Sequence, residues 1–99
     1  MSSKLERHAL QLQALGHPMR LSIVRMLVQA GPAGVSAGDI QARVEMPAST
    51  LSHHLSRLVQ AGVVSTRAEG TFHYYAPDIV ALRALTNYLW QDCCKGGSC

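Results

Sequence analysis

All three cysteines of this 99-residue chain, Cys93, Cys94 and Cys99, stand in its last seven positions. An odd number of thiols crowded at one end cannot cross-brace a core, so they offer soft-ion or redox chemistry instead. With no obvious fourth ligand, three thiolates suit a pyramidal three-coordinate thiophile such as As(III), whose lone pair fills the fourth direction, better than tetrahedral zinc. Sb(III), Cd(II) and Pb(II) can use the same donors, and exchange among neighbouring thiols is the redox alternative. Gly96 and Gly97 allow the reversal that returns Cys99 to the pair. The plain alternative is a frayed tail with incidental thiols.

A second set of residues suits recognition. The stretch STLSHHLSRLVQAG, residues 49 to 62, reads as one amphipathic helix closed by a glycine, with Leu51, Leu55 and Leu58 on a single stripe. Ser49, Ser52, His53, Ser56 and Gln60 fall on the opposite face. Exposed helices are usually covered by Glu and Lys in i, i+4 pairs. Short hydroxyls and an imidazole with almost no formal charge suit close approach to a groove of donors and acceptors, so this reads as a DNA recognition helix. A solvated, serine-rich helix is the bland alternative. Neighbouring side chains on a helix point about 100° apart, so one ion is not expected to take both His53 and His54. His54 leans toward the leucines and His53 outward. His8, His17 and His73 show no ligand spacing, while Met19, Met26, Met46, Tyr74, Tyr75 and Trp90 read as packing residues.

The elements that would position these groups follow from periodicity and punctuation. Residues 4 to 15 form a first helix, with Leu5, Ala9 and Leu12 on one stripe and Leu10 and Leu15 beside it, ended by Gly16. Pro18 suits the first turn of a second helix whose buried face is expected to hold Leu21, Val24, Leu27 and Val28. AGPAG, residues 30 to 34, is a loop. Ser36 with Asp39 reads as a capping box for a short third helix, with Ile40 and Val44 as its core contacts. That helix stops at Met46 and Pro47, just before the recognition helix, which is helix-turn-helix spacing. Residues 63 to 68 and 71 to 76 are β-branched or aromatic runs separated by Glu69 and Gly70, a hairpin placed as a wing. Arg67 and His73 near its tip are candidates for phosphate contact. Asp78 caps a last helix, 79 to 91, apolar on two stripes: Ile79, Leu82, Leu85 and Leu89 on one, and Val80, Ala84 and Tyr88 on the other. A helix apolar on two sides needs two neighbours, and a second copy of the chain is the simplest second neighbour.

Composition agrees. Ninety-nine residues with 47% hydrophobic content fit one small domain. The division expected is a DNA-binding and dimerisation domain over 1–91 and a flexible cysteine-containing tail over 92–99. No apolar run has membrane-spanning length, and Lys4, Glu6, Arg7 and His8 interrupt any signal-peptide core, so a cytoplasmic protein with no membrane partner is expected. The net charge of +3 is a mild pull toward polyanions.

Three segments, GHPMRLSIVRML at 16 to 27, STLSHHLSRLVQAGVVSTR at 49 to 67 and EGTFHYY at 69 to 75, resemble the ArsR family of metal- and metalloid-responsive repressors over roughly residues 10 to 90. The resemblance implies a mainly α fold with a small β-hairpin, a winged helix-turn-helix that is a homodimer through its first and last helices. It implies double-stranded operator DNA as partner, released when a toxic ion binds. Carried over, it places the helix at 48 to 61 in the major groove, so that Ser49, Thr50, Ser52, His53, Ser56 and Arg57, with Arg67 and His73 on the wing, form the expected DNA-contacting set. Two departures matter. The Cys-x-Cys pair that many arsenic-responsive members carry before the turn is absent from SAGDIQARV, and no histidine follows Asp78 in the last helix as the zinc-sensing members require. The wing is also less basic than many, with Ala68 and Thr71 beside its turn.

The reading that follows is an arsenite-responsive repressor, with Cys93, Cys94 and Cys99 as the metal site, As(III) or Sb(III) as inducer and no organic cofactor. A sensor of another thiophile, of a methylated arsenical or of thiol redox state is the alternative. A thiol enzyme is disfavoured because no general base, nucleotide loop or triad is visible. A winged helix that binds proteins would lack the salt dependence of phosphate contacts.

Overall fold

The computed structural model describes residues 2–97. In chain order the elements are α1 (Ser3–Leu15), α2 (Pro18–Ala30), β1 (Val35–Ser36), α3 (Ala37–Val44), α4 (Ala48–Gln60), β2 (Val64–Glu69), β3 (Phe72–Pro77) and α5 (Ile79–Trp90). The helix starts follow local hydrogen-bond supply. Ser2, Ser36 and Asp78 accept the otherwise orphaned N–H groups of Leu5, Asp39 and Ala81 at 3.1, 3.2 and 3.0 Å. At α2, Pro18 occupies the first turn and the His17 ring nitrogen Nδ1 accepts from Met19 N–H at 3.1 Å.

One core ties these elements together. Ile23, Val24 and Leu27 from α2, Ile40 from α3, Leu51, Leu55 and Leu58 from α4, and Val35, Val63 and Val64 around the sheet are buried in a single cluster. Val35 and Ile40, just before the Ser36 cap and four residues after it, are both buried, which makes a hydrophobic staple.

Two expectations are corrected, and the stripe of α1 is placed on the protomer surface. The buried stripe of α2 runs through Ile23 and Leu27 with Val24, while Leu21 and Val28 are 47% and 46% exposed. Both sets satisfy a helical repeat, so periodicity alone could not choose between them. In α1 the inward residues are His8 and Gln11, and Leu5, Leu10 and Leu12 face outward. The apolar stripe read in that helix therefore exists, but it lies on the protomer surface. Finally, the hairpin is part of a three-stranded antiparallel sheet in the order β1-β3-β2, with Val35 opposite Tyr75 and Ser36 opposite Tyr74. The segment expected to be only a loop and a cap thus supplies an edge strand. Gly34 makes this approach feasible: at φ 91° a Cβ there would sit 3.1 Å from the Tyr75 carbonyl oxygen.

The strands begin one residue later than read from the sequence, because the turn is Gly70–Thr71 rather than Glu69–Gly70, with Glu69 and Phe72 as the last pair. Gly70 takes positive φ there, as a tight hairpin requires. In α5, Leu85 is buried and Leu82, Ala81 and Tyr88 are half-buried. Ile79, Val80, Leu89 and Trp90 remain exposed, so the inner stripe takes Tyr88 from one expected set and gives up Leu89 and Ile79 from the other. No helix among the described residues is long and apolar enough to cross a membrane.

Candidate nucleic-acid interface and thiol pair

The turn between α3 and α4 is three residues long. Glu45 adopts the left-handed conformation at φ 51° and its N–H closes α3 on the Gln41 carbonyl at 3.0 Å. Pro47 then stands at the start of α4, which has no side-chain cap. Residues before a proline favour extended backbone, so Met46–Pro47 turns the chain sharply into the second helix. At the far end Gly62, at φ 81°, closes α4 through bonds from Gly62 N–H to Val59 O at 3.0 Å and from Val63 N–H to Leu58 O at 3.2 Å. This is a Schellman closure, and it delivers Val63 and Val64 directly into the core.

Between those ends α4 has two chemically distinct faces. Leu51, His54, Leu55 and Leu58 are buried, whereas Ser49, Thr50, Ser52, His53, Ser56 and Arg57 are all exposed. The six residues expected to contact DNA from this helix therefore share one solvent-facing surface. Ser49, His53, Ser56 and Gln60 form its centre by helical spacing, with Thr50 and Arg57 on one flank and Ser52 on the other. Among the described residues Arg57 has no ion-pair partner.

His54 packs inward, 8% exposed, as expected from its lean toward the leucines. Its ring lies 4.7 Å from that of His17 and 6.1 Å from that of His53. Its Nδ1 is buried without a hydrogen-bond partner. Burial, reinforced by the nearby His17, Arg20 and His53, holds its pKa below the usual 6.5, so the neutral ring is the form the fold accepts. The same residue type at adjacent positions thus serves two purposes, one in the core and one on the recognition face.

On the wing, the two expected phosphate contacts differ. His73 is exposed opposite Ala68, one pair from the closing pair of the turn. Arg67 lies deeper in β2, opposite Tyr74, and its guanidinium is engaged. Nη1 donates to Ala33 O at 2.8 Å, Nε donates to Glu69 Oε1 at 3.0 Å, and the group lies 4.8 Å from the Tyr74 ring centroid. Arg67 thus fastens the 31–34 loop to the wing, and Glu69 neutralises part of its charge. Sequence reading had no signal for this, because Ala33 is 34 positions away.

Residues 91–97, which follow α5, form a succession of turns. Cys93 N–H bonds to Trp90 O at 3.0 Å, Lys95 N–H to Asp92 O at 3.1 Å and Gly97 N–H to Cys94 O at 3.2 Å. Asp92 and Cys94 take positive φ of 59° and 64°. This path sets the Cys93 and Cys94 sulfurs 3.3 Å apart on an exposed surface, with Cys94 disulfide-bonded, so the pair offers two thiolates only in the reduced chain. One ion with bonds to sulfur of about 2.3 Å can bridge a pair that close. Cys99, the third expected ligand, lies outside the described residues. Among those that are described, no three His, Cys, Asp or Glu side chains are grouped to hold a metal ion.

A pair of buried polar residues escaped the sequence reading. His8 Nδ1 and Gln11 Oε1 are 2.8 Å apart inside α1, and the His8 ring lies 4.6 Å from that of Tyr88 in α5. They link the inner faces of the first and last helices.

Comparison with known proteins places this geometry. The family model described as a helix-turn-helix domain matches residues 15–67. An uncharacterized HTH-type transcriptional regulator of Methanocaldococcus jannaschii is 39% identical over 72 residues, 73% of this chain and 79% of its own length. The arsenical resistance operon repressor of Bacillus subtilis is 32% identical over 74 residues, 75% of this chain and 69% of its own. Among solved structures, the homodimeric winged helix-turn-helix DNA-binding domain of a Mycobacterium bovis protein superposes with a TM-score of 0.71 at 29% identity, covering 94% of this chain and 90% of that one.

Proposed function

The chain belongs to the winged helix-turn-helix transcriptional regulators of the ArsR type, and on that premise we propose that it is a homodimeric repressor that leaves its operator when As(III) is bound by Cys93, Cys94 and Cys99. The observation that carries the ligand reading is the 3.3 Å separation of the Cys93 and Cys94 sulfurs at the end of α5. Once Cys94 is reduced, two sulfurs side by side supply two of the three bonds of the pyramid that As(III) takes, and Cys99 is five positions beyond Cys94. The similarity to an arsenical resistance repressor supports the same ligand class.

Dimerisation is supported by the outward apolar residues of two helices. Leu5, Leu10 and Leu12 on α1 and Val80, Leu89 and Trp90 on α5 are exposed in the protomer, Val80 at 80%. Exposed apolar side chains in this number on two helices are covered by a partner in an isologous two-fold contact, which serves both copies at once. Two linked recognition helices then meet two half-sites about 34 Å apart.

The lever is the junction of α5 with the turns that follow. Because Cys93 N–H is hydrogen-bonded back to the Trp90 carbonyl, an ion bound at Cys93 acts directly on the end of the helix proposed to form the dimer. Coupling of this kind typically amounts to about 1 to 3 kcal/mol, a 5- to 150-fold loss of operator affinity. Cys93→Ser and Cys94→Ser are expected to bind DNA as the parent does and to stay bound in arsenite. Cys99→Ser should lose most of its response to inorganic arsenite but keep that to a monomethylated arsenical, which needs only two thiolates. Fewer than three sulfur neighbours around arsenic by X-ray absorption would overturn the three-thiolate site.

A further inference from the structure

Beside the outer face of α4 runs a cleft of about 420 Å3 whose walls come from α1, the start of α2 and the C-terminal half of α4. Its polar lining is Gln13, Arg20, His53, Arg57 and Gln60, with Leu10 at the rim, and no carboxylate lines it. Two guanidiniums and an imidazole facing one concavity without an acid is an uncompensated positive site, and the amides of Gln13 and Gln60 add neutral donors.

The two arginines are presented differently. Arg20 is half-buried, and its Nε donates to Ala14 O at 2.8 Å, which pins the guanidinium across the α1–α2 corner. A guanidinium fixed through Nε presents its terminal N–H groups as a planar fork, the geometry that matches two oxygens of a phosphate. Arg57 is exposed on the α4 flank and has no ion-pair partner among the described residues, so it can close from the opposite wall.

We propose that this cleft, formed by Arg20, His53 and Arg57 with Gln13 and Gln60, seats a single phosphate group, and that its occupant is a backbone phosphodiester of the duplex lying against α4. The proposal rests on the DNA-binding reading above and assigns to Arg20, on the first helix after the turn at Gly16, a role in holding the register of the recognition helix. Phosphate contacts of this kind position a protein on the duplex without reading its sequence. The location on the C-terminal flank fits that task, because the serines at the N-terminal end of α4 are left to reach the base edges.

The test is the salt dependence of binding to a duplex, measured for the parent, Arg20→Gln, Arg57→Gln, the double variant, and Arg25→Gln as a control on the outer side of α2. Each neutralised phosphate adds about 0.9 to the logarithmic salt slope, which is about 3.5-fold in affinity between 50 and 200 mM salt. The double variant is expected to lose the slope of one phosphate per subunit, two per bound dimer, equally on operator and unrelated duplexes, while Arg25→Gln keeps the parent's slope. A loss equivalent to two phosphates per subunit, no loss, or an equal loss in Arg25→Gln would overturn a shared seat. Arg20→Gln gives up the bond to Ala14, so Arg57→Gln, which gives up no side-chain bond or ion pair among the described residues, must by itself weaken binding without changing the melting temperature. Inorganic phosphate titrated into the DNA-free dimer, followed on the His53 ring resonances, separates the sources. Weak binding at millimolar phosphate, abolished in the double variant, supports the seat. Micromolar binding combined with an unchanged salt slope would mean a free anion occupies it and would overturn the backbone assignment. If the parent bound no duplex at all, the repressor reading would fall, and the phosphate titration would decide the seat without it.

Discussion

Replacing His54 by leucine removes a polar atom that the core cannot satisfy. Nδ1 of His54 is buried with no hydrogen-bond partner, in a side chain packed among Leu51, Leu55 and Leu58 on the inner side of α4. Leaving such a group unpaired costs about 1 to 3 kcal/mol, and a branched apolar side chain of similar size avoids that cost. The variant gives up the ring contact with His17 at 4.7 Å, worth about 0.5 to 1.5 kcal/mol for a favourable aromatic pair. The net expectation at pH 8 is a stabilisation of about 1 kcal/mol. The pH dependence is the sharper signature. Burial, then His17, Arg20 and His53, lower the His54 pKa in the fold below the unfolded value of 6.5. The unfolded chain therefore binds the proton first as pH falls, so the neutral ring's contribution is intact above pH 6.5 and is lost progressively as pH drops from 6.5 toward the lower folded value. One linked proton allows at most about 1.4 kcal/mol per pH unit. Between pH 6.5 and 5.5 the parent should thus lose up to about 1 kcal/mol relative to His54→Leu. Urea unfolding from pH 8 to 5, at one fixed protomer concentration because dissociation is coupled to unfolding, measures both effects. Parallel pH profiles for parent and variant, or a variant less stable than the parent by more than about 1 kcal/mol at pH 8, would refute this reasoning about the His17–His54 contact.

Leu58→Ala, at a fully buried position of α4, should cost about 2 to 5 kcal/mol and lower the melting temperature accordingly, read by circular dichroism. Val80→Glu alters a side chain that is 80% exposed in the protomer, so it should leave protomer secondary structure unchanged yet give a monomeric mass in sedimentation and no operator binding; a dimeric mass would remove Val80 from the contact. His53→Ala should weaken operator binding by about 1 to 3 kcal/mol in a gel-shift titration with the fold intact, and unchanged operator affinity would show that this face of α4 does not contact DNA.

Much of the architecture was legible because it depends on short-range chemistry. The Ser36 and Asp78 caps, Pro18 at the start of α2 and Gly62 at the end of α4 each act within a few residues, and the recognition helix has a single apolar stripe with no competitor. The expected bounds of that helix, its buried His54 and its exposed His53 followed. What was not legible depended on partners distant in sequence. β1 exists because Gly34 allows Val35 and Ser36 to reach Tyr75 and Tyr74, and nothing in a two-residue segment announces that pairing. In α2, Leu21 and Val28 compete with Ile23 for a place beside Val24 and Leu27, and only the packing of α1, α4 and β3 against the helix decides. In α1 the apolar stripe was identified, but nothing in it announced that the inner face would be His8 and Gln11, which the fold buries by pairing them with each other. Arg67 illustrates the same limit at the site, since its engagement by Ala33 and Glu69 is a tertiary contact. The cysteine pair was legible as chemistry, but its 3.3 Å spacing goes with the left-handed turns at Asp92 and Cys94.

The most direct measurement is the anisotropy of a labelled two-fold-symmetric operator duplex bound by the dimer, titrated with arsenite while the fluorescence of Trp90 is followed on the same sample. Trp90 is the only tryptophan, is exposed, and accepts a hydrogen bond from Cys93 N–H at 3.0 Å, so it reports occupation of the thiol site independently of DNA. The predicted result is a Trp90 change that saturates at one arsenite per subunit, accompanied by a fall in operator affinity of about 5- to 150-fold, with both signals lost in Cys93→Ser. A Trp90 change that saturates while the operator stays fully bound, or release of the operator that persists in Cys93→Ser, would contradict the coupling of this thiol site to DNA.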